Sequence, residues 1–129
     1  MVSDRVGDFI IRLKNAGAIG KHVVAVPYSK HVEEIAHKLK ALGFLAGVEK
    51  SKNPYEFEVT LALDDRGQSK IRGVKRISKP GRRLYTPASE AHTVKNGSGS
   101  RLLSTNRGVL TDSEARKVKA GGEDLFEIW

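Results

Sequence analysis

A chain of 129 residues, 39% apolar and 29% charged, has the balance of one compact unit or two small ones that fold by burying a core, without metal or disulfide staples. The complete lack of cysteine excludes disulfide frameworks, thiolate nucleophiles and the usual zinc sites. With 23 Lys and Arg against 15 Asp and Glu, the formal charge of +8 points first to nucleic acid, ahead of acidic proteins or anionic membrane.

In chain order, Val6, Phe9, Ile10 and Leu13 fall at helical spacing, with Ser3 placed to cap the helix and Gly17 to stop it. Asp4, Asp8 and Arg12 interrupt this stretch, so neither a secretory signal nor a membrane span is expected and the chain reads as soluble and intracellular. His22 to Pro27 is a short Val-rich strand that Pro27 ends or holds at a sheet edge. Ser29 then caps a second helix, with Glu33 and Glu34 early, Val32, Ile35, Leu39 and Leu42 as its apolar stripe, and Gly43 as its end. Phe44 to Glu49 and the alternating Tyr55 to Leu63 follow as strands, giving α-β-α-β-β.

After the break at Asp64, Asp65 and Gly67, Ile71 to Ile77 reads as a strand before a Lys79-Pro80-Gly81 turn. Further short strands run through Leu84 and Tyr85 and through Leu102 and Leu103, separated by a Gly- and Ser-rich connection at 96–100. Ser104 to Gly108 reads as a polar turn. Thr111 and Glu114 form a Thr-x-x-Glu capping box for a last helix ending at Gly121, and Glu123 to Trp129 alternates as a closing strand. The expected fold class is α+β: an N-terminal subdomain over 1–65 and a basic C-terminal one over 66–129.

The charge is unevenly placed. Residues 1–60 hold nine basic and seven acidic side chains; residues 61–129 hold fourteen and eight. Arg66, Lys70, Arg72, Lys75, Arg76, Lys79, Arg82 and Arg83 fall within eighteen residues that contain no acid, close enough to neutralise successive phosphates; a solvated face is the alternative. The segment Ser104-Thr105-Asn106-Arg107-Gly108 offers hydroxyl and amide groups suited to ribose hydroxyls and base edges, although composition alone favours an ordinary turn. Tyr85 is either a stacking ring or a core residue. Glu123 either orients neighbouring donors or simply opens the final strand, and Trp129 covers apolar surface. His31 and His37 lack the i, i+4 spacing of a helical metal site, and no phosphate-cradling, dinucleotide or nucleophile-elbow motif occurs. Beside a structural nucleic-acid-binding protein, two other readings stay open: a free-standing messenger regulator and a basic enzyme acting on a nucleotide.

Five segments together carry a resemblance: DRVGDFIIRLKN from Asp4, VPYSK from Val26, LKALGFL from Leu39, RISKPGRRLY from Arg76 and STNRGVLTDSEARKVKAGGE from Ser104. With them the sequence resembles the small-subunit ribosomal protein eight family of bacterial or organellar type, over nearly the whole chain. The resemblance implies two α/β subdomains, no catalysis, no cofactor, no membrane and no small-molecule substrate. It implies binding to a helical junction in the central domain of small-subunit ribosomal RNA early in assembly, contacts with neighbouring small-subunit proteins, and autogenous repression through an RNA mimic. The implied location is the cytoplasmic ribosome, with an organellar ribosome left open. The RNA-binding residues it implies are Ser104, Thr105, Asn106, Arg107, Gly108, Tyr85, Arg82, Arg83, Lys79, Arg76 and Glu123, with Ser29, Lys30, Arg12 and Asn15 contributing from the first half. Asn106 departs from a family serine, and Gly97 to Arg101 departs from a more apolar lead into the strand.

Overall fold

The computed structural model describes residues 4–79, 81–86 and 99–129. Ser3 as a cap, Pro80 of the turn and positions 96–98 of the Gly- and Ser-rich connection lie outside the described residues. The chain divides into two compact units, Met1–Arg72 and Gly73–Trp129, of an α+β kind with small antiparallel sheets.

In the first unit, α1 (Arg5–Ala18) is capped by Asp4, whose carboxylate accepts from the Gly7 amide at 3.1 Å. It buries Phe9, Ile10, Leu13 and Ala16. Gly17 does not stop this helix as expected. It lies inside the last turn, at a close approach where a Cβ would stand 3.0 Å from the Ser69 Cβ; the chain instead turns at Gly20, with φ +75°. The sheet has the order β1 (Val23–Pro27), β3 (Glu56–Leu61), β2 (Leu45–Lys50), so Pro27 ends an edge strand, where its missing amide costs no ladder bond. From β3, Phe57, Val59 and Leu61 are buried. Tyr55, expected on that face, precedes the strand and is 81% exposed. Phe57 lies between Phe9 and Tyr28, with ring centroids 6.5 and 6.4 Å away, and burying such a ring contributes about 1.5–3 kcal/mol. α2 (Lys30–Leu42) buries Val32, Ile35, Ala36 and Leu39, leaves Leu42 at the surface and ends at Gly43, with φ +90°.

The segment from Arg66 to Arg72 belongs to this first unit. Asp64 accepts the Arg66 and Gln68 amides at 2.9 and 3.0 Å through Oδ1 and the Arg72 guanidinium at 2.6 Å through Oδ2. The Arg72 hydrogen bond, with the Gln68 amide next, holds the Asp64 carboxyl below the usual carboxylate range. Ile71 tucks its side chain inward.

The second unit holds β4 (Val74–Arg76), β5 (Tyr85–Thr86), β6 (Ser100–Thr105), β7 (Gly108–Thr111), α3 (Asp112–Val118) and β8 (Gly122–Ile128). β8 is central: β6 and then β7 lie on one side, and β4 and β5 pair with successive parts of its other side. Both β4 and β5 run antiparallel to β8, so together they form one edge strand interrupted by a loop. Before the loop the Ile77 and Ser78 amides donate to Leu125 and Asp124; after it the Asp124 amide donates to Leu84. The expected strand Ile71 to Ile77 is thus regular only over Val74–Arg76.

Leu102, Leu103, Val109, Ala115, Leu125, Phe126 and Ile128 form this unit's core. Gly73 and Trp129 exchange backbone hydrogen bonds at 3.0 and 3.1 Å, and a Cβ on Gly73 would lie 2.7 Å from the indole, so Trp129 covers the start of the unit. At the polar lead into β6, Arg101 is only 11% exposed and pairs with Glu127 at 2.5 Å and Asp124 at 3.5 Å; ion pairing on β8 takes the place of apolar packing there. The capping box at Thr111 and Glu114 is formed in both directions. α3 ends earlier than Gly121, at Val118, because Lys119 takes a left-handed backbone, φ +57°, and lets the Ala120 amide reach the Ala115 carbonyl at 3.0 Å.

Candidate nucleic-acid interface

The register of the second sheet brings three of the sequence-selected residues into one row. Tyr85 of β5 stands opposite Glu123 of β8, and Glu123 stands opposite Ser104 of β6. Directly opposed residues of an antiparallel pair point to the same face, so a ring, a carboxylate and a hydroxyl share one side of the sheet. The next row is Thr86, Gly122 and Thr105. Here the backbones of β8 and β6 come so close that a Cβ on Gly122 would lie 2.2 Å from the Ser104 carbonyl oxygen. Only glycine permits that approach, which fixes where Ser104 sits relative to Glu123.

Ser104 and Thr105 belong to the end of β6 and not to a loop. The expected five-residue turn is a hairpin whose connection is Asn106-Arg107 alone, since Thr105 pairs with Gly108. Gly108, at φ +99°, supplies the left-handed backbone needed to enter β7. The two hydroxyls differ in what they have left to offer. Thr105 Oγ1 donates to the Gly108 carbonyl at 2.8 Å and accepts from the Arg107 amide at 3.0 Å, so it holds the turn. The Ser104 hydroxyl has no hydrogen-bond partner among the described residues and keeps its donor and acceptors. Asn106 and Arg107 are exposed at the tip, with side chains likewise unbonded among the described residues.

Glu123 is tied down rather than presented. Its Oε2 accepts from Ser78 Oγ at 2.5 Å and from the Arg83 guanidinium at 3.0 Å. Ser78 is 2% exposed and its Oγ also accepts the Leu84 amide at 3.2 Å. One buried hydroxyl therefore closes the base of the loop that interrupts the edge strand, while reciprocal Lys79 and Arg82 backbone bonds of 3.0 and 2.9 Å close its tip. No feature of the single sequence marks Ser78 for this position, and the same holds for the packing role of Gly122.

The cationic run is divided between the two units. Arg66, Lys70 and Arg72 fall in the first unit and Lys75 to Arg83 in the second. Arg72 and Arg83 are neutralised by Asp64 and Glu123, and Arg76 donates to the Ser78 carbonyl at 2.9 Å. Lys79 and Arg82 are exposed and form no ion pair among the described residues. Tyr85, for which a core position was the alternative, is 69% exposed. The loop cations, the Tyr85 ring, the free Ser104 hydroxyl and the Asn106-Arg107 tip thus make a surface able to bind phosphates, stack on a base and exchange hydrogen bonds with ribose or base edges.

In the first unit, Arg12 is held by Asp8 at 2.8 Å and by the Ala25 carbonyl at 3.2 Å. Asn15 is exposed on α1. Ser29 is the N-cap of α2 but its hydroxyl makes no capping bond, and Lys30 follows it, exposed, as the first helical residue. A free hydroxyl, an ammonium and a helix N-terminus are there a set of groups that favours anions.

A protein-family model described as Ribosomal protein S8 matches residues 4–129. Over 136 residues, covering 100% of both chains, the sequence is 41% identical to Small ribosomal subunit protein uS8 of Persephonella marina. Over 131 residues it is 38% identical to the protein of the same name from Bacillus cytotoxicus, covering 100% of this chain and 99% of that one.

Proposed function

Because the chain belongs to the ribosomal protein S8 family, we propose that it is a structural constituent of the small ribosomal subunit and grips a helical junction in the central domain of its RNA. The family is a structural, non-enzymatic one. The observation that carries the reading is the row Tyr85, Glu123, Ser104, with a free hydroxyl at one end and an exposed ring at the other.

A-form RNA offers a wide, shallow minor groove lined with 2′-hydroxyls, which short side chains on a flat sheet face can reach. In this reading Ser104 and Asn106 bond to ribose and base edges, Tyr85 stacks on an unpaired base, and Lys79 and Arg82 set the register through phosphates. Glu123 would repel RNA as a bare carboxylate, but Arg83 and Ser78 occupy it, so it orders the surface instead. Thr105 and Gly108 shape the hairpin that carries Asn106 and Arg107. Arg76 supports the loop base. From the first unit, Lys30, Ser29 and Asn15 add backbone contacts, while Arg12 acts through its bonds to Asp8 and Ala25. Neighbouring small-subunit proteins cover other parts of the surface.

The test is binding to an RNA fragment spanning the central-domain junction. Ser104→Ala is expected to weaken it by roughly 1 kcal/mol or more, about fivefold, by leaving groove groups unpaired. Arg82→Ala is expected to lower the slope of log affinity against log salt by about one. Unchanged affinity in both variants would refute the assignment. Early binding during assembly and repression of its own message follow if the surface also accepts an RNA mimic. Such a message fragment would compete with the ribosomal fragment and lose affinity in parallel on Ser104→Ala.

A further inference from the structure

We infer that the first unit holds a separate pocket for an unpaired nucleotide, at the C-terminal end of α1. This rests on the RNA-binding reading above but concerns residues outside the row and outside the Arg12, Asn15, Ser29, Lys30 set. A cavity of about 420 Å³ opens there, within the size range of small-ligand sites. Its apolar part is Leu61, Leu63 and Ile71, and its cations are Lys14, Lys21 and Arg72. Among the described residues no carboxylate lines it, in a chain with 15 acids. Arg72 is partly satisfied by Asp64; Lys14 and Lys21 are exposed and have no ion pair among the described residues.

The arrangement has a direction. The last carbonyls of α1 accept from the amides of Ile19, Gly20 and Lys21, and this end of a helix carries partial negative charge. A phosphate therefore sits on the Lys14 and Lys21 ammonium groups rather than against the helix, and the base lies on the apolar side chains. Two further lining residues suit that base: His22 offers a ring for stacking and Gln68 an amide, which has no side-chain partner among the described residues, for a base edge. Bases inside a duplex cannot enter such a cavity, so the occupant is a bulged or looped-out nucleotide of the bound RNA. An acidic peptide would satisfy the lysines but leave the apolar floor and the amide unused.

Two measurements on the full chain test this. First, adenosine and uridine 5′-monophosphate at millimolar concentration should shift the backbone amide resonances of Gly20, Gly67 and Gln68, far more than inorganic phosphate does. No shift, or an equal shift with phosphate or a glutamate-rich peptide, would overturn the pocket. Second, Ala18→Trp fills the cavity mouth without changing charge, and should weaken binding to the central-domain RNA about fivefold or more, the worth of one stacked base. If that variant melts early, Lys14→Ala with Lys21→Ala replaces it and should abolish the nucleotide-induced shifts. Should Ser104→Ala weaken RNA binding while the filled cavity does not, the pocket is wrong and the proposed function stands; a wild-type chain that ignores the RNA overturns both.

Discussion

Replacing Gly122 by Ala tests how the second unit sets its binding face. The new Cβ would lie 2.2 Å from the Ser104 oxygen, 2.8 Å from its carbonyl carbon and 3.0 Å from Thr105 Cγ2. Two of the three neighbours are backbone, so no rotamer change relieves the clash, and β8 must move from β6 by about 1 Å to reach ordinary contact. Overpacking of this kind costs about 1–3 kcal/mol. For a unit spanning Gly73–Trp129, 2 kcal/mol lowers the melting temperature by on the order of 10 °C. Gly81→Ala is the control, because nothing lies within 4 Å of its added Cβ. Thermal unfolding followed by circular dichroism should separate the two, and RNA affinity should fall with Gly122→Ala even at temperatures where the fold persists, since the clash displaces Ser104. A melting temperature equal to that of the control would refute the close-approach argument.

Further substitutions probe other elements. Thr111→Ala removes the acceptor for the Glu114 amide and should cost about 1 kcal/mol in urea unfolding; a change under a few tenths would mean the capping box is not stabilising. Lys119→Gly relieves a left-handed backbone, φ +57°, and should stabilise by about 1 kcal/mol, unless the mutant unfolds at the same urea concentration. The Arg72 hydrogen bond holds the folded Asp64 carboxyl below the usual carboxylate range, so its contribution is present above the unfolded pKa and is lost as pH falls through the folded one. Asp64→Asn should therefore flatten the stability–pH curve of the first unit in that acid window and nowhere else; equal slopes for mutant and wild type there would contradict the linkage.

What was legible in the sequence was what local chemistry dictates. The stripe Val32, Ile35, Leu39 and the stop at Gly43 are period and backbone freedom, and Thr111 with Glu114 is a cap read in four residues. What escaped was set by partners distant in sequence. Gly17 looks like a stop signal but is a contact with Ser69. Ser104 and Thr105 look like turn residues because Ser, Thr, Asn and Gly favour turns, yet pairing with β8 extends the strand through them. Ser78 touches Glu123 across 45 positions, and no spacing rule reports that. Composition alone left Ser104 in an ordinary turn, Tyr85 open between core and surface and Glu123 at a strand start, and only the family resemblance singled them out; their alignment in one row, and the different commitments of the two hydroxyls, required the sheet register.

Because the chain has no cysteine, Asn106→Cys provides a single attachment point at the hairpin tip for an iron chelate that releases hydroxyl radicals. Bound to small-subunit RNA, the tethered protein should cut both strands bordering one shallow groove of the central-domain junction. Cuts scattered over the RNA, or none near that junction, would contradict the placement of this hairpin in a minor groove.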